Sequence, residues 1–204
     1  MIREYPNISF IFKSKLRKGH AESLNYILRA VQTRYLLYLE DDWLLLSNVT
    51  SVISDAMTVL QNENENTPVA QVLFNDQSSR DCAEGKESCS QSKFKGGAGW
   101  CRVANSVGYK VEYIEHEFGI AYLEHQFSYW PGFSLNPAIW DLERMENAMG
   151  RLEFAENDTQ FEQSFALKAM DAGLTFAHLP QVNFRHTGTS ISSYVLNGQQ
   201  RPWD

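Results

Sequence analysis

The chain has 204 residues, 43% hydrophobic and 13% aromatic, with 21% charged and a formal net charge of -7. That length fits one domain, and the apolar share is ample for a buried core and argues against a disordered tail. The excess of 25 Asp+Glu over 18 Lys+Arg argues against nucleic acid as a partner, although a metal cation can still bridge an acidic chain to a phosphate-bearing small molecule.

No membrane span is expected. The longest apolar stretch, Tyr35 to Leu46, is broken by Glu40, Asp41 and Asp42, and spanning needs about 20 residues. The opening MIREYPNISF lacks the apolar run of a signal peptide. Three cysteines, Cys82, Cys89 and Cys101, are too few for a disulfide scaffold and lack the C-x-x-C spacing of a zinc site. Cys82 and Cys89 could pair across a loop, leaving Cys101 free. The N-x-[ST] pattern occurs at Asn7, Asn48 and Asn157, but it is common by chance. The compartment stays open.

In chain order, Ile8 to Phe12 reads as a buried strand, and a basic turn, KSKLRKGH, follows. Leu24, Ile27, Leu28 and Val31 hold the helical period, and Tyr35 to Leu39 is a second strand. Ser47 or Asn48 caps a helix with apolar positions Val49, Val52, Ile53, Ala56 and Leu60; Val69 to Phe74 is a third strand. Asn75 to about Ser106 reads as one long loop, of a length that is usually functional. Its glycines, Gly96 to Gly99, suit a lid closing over a ligand better than a phosphate cradle. Tyr109 to Ile114 and Gly119 to Tyr129 suggest a small antiparallel element. Asn136-Pro137 opens a helix, and Asp158 or Thr159 opens another that runs to Asp171, with Gly173 placed to finish it in the left-handed conformation. Leu174 to His178 and Val182 to Arg185 are the last strands. With no repeats and no linker, the chain reads as a single α/β domain with a mostly parallel central sheet flanked by helices and a small antiparallel β element.

The sharpest chemical signal is Glu40-Asp41-Asp42-Trp43, placed directly after an apolar strand. Three carboxylates there repel one another unless a cation joins them. Ligands bind at the carboxyl ends of strands in open α/β sheets. Alternation sends Glu40 and Asp42 to one side and Asp41 to the other. Such oxygen ligands suit Mg²⁺ or Mn²⁺. The plain alternative is a solvated loop start with Asp42 as a helix cap.

The segment GHAESLNYILRAVQTRYLLYLEDDW resembles the central stretch of GT-A fold glycosyltransferases of the family-two type. There a Gly-containing turn leads into a helix bearing Asn, then a strand, then a D-x-D motif, here the variant Glu40-Asp41-Asp42. The resemblance implies a Rossmann-like sheet and a UDP- or GDP-sugar donor whose diphosphate rests on a divalent metal. Gly19, Asn25 and Asp41 would belong to the donor site. In the second half, FEQSFALKAMDAGLTFAHLPQVNFRH resembles the family's acidic pair, helix, strand, Pro and His. Glu162 matches the second acid of that pair, whereas Phe161 departs from the first. His186 matches the histidine that completes the metal site with Glu40 and Asp42. The family pattern begins with two further strand–helix units. Only about seven residues precede the first strand here, so the resemblance implies an amino-terminally truncated domain with an exposed parallel edge beside Ile8 to Phe12 or Tyr35 to Leu39.

Glu162 has two readings. It is a general base that takes a proton from an acceptor hydroxyl, giving inversion, or it is the last residue of the capping box Thr159-Gln160-Phe161-Glu162. Asp158 is the next candidate base and Glu156 the third. His186 is likewise either a metal ligand or a strand-end histidine bonded to backbone. Trp130 and Phe133 offer aromatic faces for an acceptor sugar, or belong to the core. Arg185 and Arg201 could neutralise diphosphate oxygens. The acceptor would be a glycan or glycoprotein. Two rivals remain: a nucleotidyltransferase, which would show a Gly-rich basic loop near the amino terminus that this chain lacks, and a binding module that keeps the fold without catalysis.

Overall fold

The structure is a computed structural model, and it describes residues 8–9, 11–14, 19–62, 69–75, 102–107, 111–116, 132–156, 158 and 160–187. The strands are β1 (Tyr35–Tyr38), β2 (Trp43–Leu45), β3 (Val69–Leu73), β4 (Arg102–Val107), β5 (Val111–His116), β6 (Ala138–Asp141), β7 (Thr175–His178) and β8 (Phe184–His186). The helices are α1 (His20–Ala30), α2 (Val49–Leu60), α3 (Leu142–Met149) and α4 (Phe161–Asp171).

Six strands form one sheet in the order β1-β6-β3-β7-β5-β4, and β2 pairs with β8 in a second sheet. Tyr38, Ala138, Leu73, His178 and Ile114 align in one row across it. The sheet is mixed rather than mostly parallel. Among the described residues its one parallel pair is β3–β7, because β6 inserts antiparallel between β1 and β3 and the hairpin β4–β5 adds antiparallel to β7. By direction, β1, β3, β7 and β4 run one way and β6 and β5 the other. The carboxyl ends of β1, β3 and β7 therefore meet at one end of the sheet.

Both faces are covered, as a buried sheet requires. On one face, Leu24 of α1, Met145 of α3 and Phe165, Ala166 and Ala169 of α4 close over Tyr38, Trp140 and Phe176. On the other, Val52, Ala56, Val59 and Leu60 of α2 pack on Val72, Ile139 and Ala177. Neighbouring residues of β6 and β7 divide between the two clusters, the alternation a pleated strand imposes.

The helix ends follow from local sequence. Asn48 caps α2 by accepting from the N–H groups of Thr50 and Ser51. At the end of α4, Gly173 takes φ 79°, Leu174 N–H reaches Ala169 O at 3.1 Å and Gly173 N–H reaches Met170 O at 2.9 Å. That pair of bonds is a Schellman cap, for which Gly is favoured because it has no Cβ.

Other boundaries differ from the sequence reading. Asn136-Pro137 opens a strand, β6, and the helix waits until Asp141 caps α3 through Arg144 N–H at 3.1 Å. A strand, β4, lies within the span read as a long loop. Ile8, Ser9, Ile11 and Phe12 are exposed and outside any strand. β1 is an edge strand with β6 as its partner among the described residues, and Leu37 and Leu39 are exposed. Gly119 to Tyr129, the three cysteines and the glycines Gly96 to Gly99 lie outside the described residues.

Candidate functional site

The acidic triplet lies at the carboxyl end of β1, but its two alternating members diverge. β1 ends at Tyr38, and a turn at Asp41 and Asp42 breaks the pleat before β2 begins at Trp43. Alternation therefore does not carry through to Asp42. Glu40 turns back along β1, where Tyr38 Oη donates to its Oε1 at 2.8 Å. His20, the first residue of α1, brings Nε2 to 3.2 Å from Tyr38 Oη and 3.4 Å from Glu40 Oε1. Asp41 is exposed.

Asp42 faces the carboxyl-terminal part of the chain. Its Oδ2 lies 2.9 Å from His186 Nε2, and its carbonyl accepts from Thr187 N–H at 2.7 Å and Thr187 Oγ1 at 2.8 Å. The β2–β8 ladder places Trp43 opposite His186, and the two rings meet edge to face at 5.1 Å. Asp42 Oδ1 is buried and has no partner among the described residues. Among those residues no group of three or more His, Cys, Asp or Glu side chains converges as a metal cage.

Glu162 sits in the first turn of α4. Thr159, the partner that the capping-box reading requires, lies outside the described residues. The Oε1 of Glu162 accepts from Leu135 N–H at 2.7 Å and Ser134 Oγ at 3.2 Å. Burial pushes its pKa up to about 7, opposed by those two bonds and reinforced by the charge of Glu40. Tyr38 is raised as well, by burial first and then by Glu40, with Glu162 and Asp42 adding to the effect. One acidic field thus links Glu40, Asp42 and Glu162 around Tyr38.

The other candidate bases are engaged in local structure. Asp158 accepts from Gln160 N–H at 2.8 Å and from Ser164 Oγ, so it organises the start of α4. Glu156 accepts from Asn25 Nδ2 at 3.1 Å. Asn25 is itself buried. Its Oδ1 accepts from Phe154 N–H at 2.8 Å and its Nδ2 donates to Phe154 O at 2.9 Å, so α1 is pinned to the approach to α4. Gly19 is the exposed cap of α1 with φ 126°.

Phe133 is completely buried between Trp140, Phe154, Phe165 and Phe176 and offers no face to a sugar. Arg185 is exposed on β8, opposite Leu44. Trp130 and Arg201 lie outside the described residues. His20 and Tyr38 are the members that sequence reasoning missed. Position i−2 from Glu40 marks Tyr38 in principle, whereas His20 has no local signal.

An open depression of about 410 Å³, lined by Arg34, Arg144 and Gly173 among others, lies away from these groups. Its cations are already committed. Arg34 pairs with the buried Asp141 at 2.8 Å, and Arg144 donates to the carbonyls of Leu60 and Val69.

Comparison with protein-family models, curated proteins and solved structures found no match.

Proposed function

We propose that this chain is a GT-A-like, metal-dependent glycosyltransferase domain that moves a sugar from a UDP- or GDP-sugar to a hydroxyl of a glycan or glycoprotein. The observation that carries the reading is the meeting of Asp42 and His186 at 2.9 Å across 144 positions. Both were singled out from separate motifs.

Mn²⁺ or Mg²⁺ fits this pair. Asp42 supplies a buried oxygen that lacks a partner, and His186 an imidazole suited to Mn²⁺. Such ions commonly take one or two protein ligands and fill the remaining positions with water and phosphate oxygens. When bound, the metal offsets the negative charge that develops on the departing diphosphate. Glu40 serves the same site from the second row, because Tyr38 and His20 hold its carboxylate.

Glu162 is the general base. With a pKa near 7 it is partly ionised at neutral pH and still basic enough to take a proton. In a single displacement it accepts the acceptor hydroxyl proton. The acceptor oxygen then bonds to the anomeric carbon as the bond to diphosphate breaks, with inversion. Leu135 N–H and Ser134 Oγ fix the carboxyl for that transfer.

The test is calorimetric titration with UDP- and GDP-sugars, with and without Mn²⁺, repeated on Asp42→Ala. Metal-dependent donor binding that the substitution abolishes supports the proposal. Binding of no donor, with or without metal, removes it.

A further inference from the structure

We propose that Gln71, in the middle of β3, is a positioning residue for Glu162 and acts through the backbone of Ser134. The inference deepens the reading of Glu162 as general base and rests on it.

Gln71 is fully buried, with apolar neighbours on its own strand at Ala70 and Val72. An amide in such a place is costly unless both of its ends are paired. Both ends are paired, and to one residue. Nε2 donates to Ser134 O at 2.6 Å, and Oε1 accepts from Ser134 N–H at 3.0 Å. The side chain thus gives Ser134 the two bonds that a neighbouring strand would otherwise supply.

On its other side the same dipeptide grips Glu162. Ser134 Oγ and Leu135 N–H both donate to Glu162 Oε1. Two side chains, one from β3 and one from α4, therefore hold opposite sides of Ser134-Leu135. Both donors favour the ionised carboxylate and work against burial. If the β3 side lets go, the dipeptide is free to shift and the carboxylate loses its donors. Among the described residues, Glu40 and Tyr38 at the end of β1 act on this carboxyl, Asp158 ahead of α4 accepts from Gln160 N–H, and His20 of α1 packs on the adjacent Phe161 ring at 5.6 Å. None of them bonds to Ser134 among the described residues, so a change at Gln71 reaches Glu162 by way of the dipeptide.

Gln71→Met keeps the volume and removes both amide bonds, and the whole chain is compared with and without it. Carboxyl ¹³C NMR titration of Glu162 should show its midpoint moving up by about one pH unit. The acid limb of the transfer rate should move with it, while KM for the donor stays the same. An unchanged midpoint in a folded Gln71→Met protein overturns the proposal. The titration needs no turnover, so an inactive wild type with a shifted midpoint counts against the transferase reading alone. Should the variant fail to fold, amide exchange in the unmodified chain decides. Ser134 should be strongly protected, and Leu135 more so once Glu162 is ionised. Exchange at Ser134 as fast as in an unstructured peptide overturns the proposal.

Discussion

Tyr38 Oη donates to Glu40 Oε1 at 2.8 Å, between residues two apart on one chain, and so draws Glu40 away from Asp42. Tyr38 is almost fully buried, whereas the side chain of His20, the second group near that oxygen, is 42% exposed. Tyr38→Phe should therefore cost about 1 kcal/mol, the net worth of one hydrogen bond, and His20→Ala less. Denaturant midpoints of the two variants check the order. A Tyr38→Phe midpoint equal to that of the unsubstituted chain would show that the hydroxyl bond contributes nothing.

Under the proposed metal site, the divergence of Glu40 and Asp42 gives the two carboxylates different roles. Asp42→Ala should weaken Mn²⁺ binding in the presence of UDP by at least about tenfold, and Glu40→Ala should weaken it less. Titration calorimetry with MnCl₂ measures both. Equal losses would mean that the two carboxylates ligate together.

Glu162→Gln keeps an oxygen for Leu135 N–H and removes the proposed base. Transfer should fall by about 10²-fold or more, and the acid limb near pH 7 should vanish from the rate profile. A variant with full activity would return Glu162 to a purely structural role.

The same carboxyl sets a stability slope. Its pKa is raised from 4.5 unfolded to about 7 folded, so between those values the native state holds the proton more tightly. Native stability should fall as pH rises through that window and level off above it. Glu162→Gln should remove this loss. It should raise Tm at pH 8 by several degrees and leave pH 4 nearly unchanged. Melting curves across pH 4–8 check the sign.

Asn25 binds Phe154 through both its N–H and C=O groups. Asn25→Ala should cost roughly 2–4 kcal/mol because two buried backbone groups lose their partners. Urea unfolding measures it, and a loss under about 1 kcal/mol would show that water replaces the amide.

Periodicity marks the helices well. The caps at Asn48 and Gly173 lie where their side-chain chemistry requires, and the apolar runs of β1, β3 and β7 are strands. Strand direction is a different matter. β6 follows a Pro that suits a helix start equally well, and nothing local to Ala138–Asp141 tells it to lie between β1 and β3. Within the site, Asp42 and His186 are visible as isolated signals, yet their contact depends on the β2–β8 ladder, formed by two strands of three residues each. Glu162 is visible as an acid near a helix start. That Leu135 N–H and Ser134 Oγ donate to it is a tertiary fact. Asn25 is legible only as a polar residue on a helix; burial turns it into a clamp.

The placement of β6 also bears on how the molecule is assembled. β1 and β3 are made early, but the strand that joins them is encoded about a hundred residues after β1. Until ribosomal synthesis passes Asp141 the two earlier strands have no bridge, and β7 must follow before the parallel pair can close. Native pairings so distant in sequence fold slowly and leave sticky intermediates exposed meanwhile. Expression at low temperature, or with chaperones in excess, is the condition such a topology calls for.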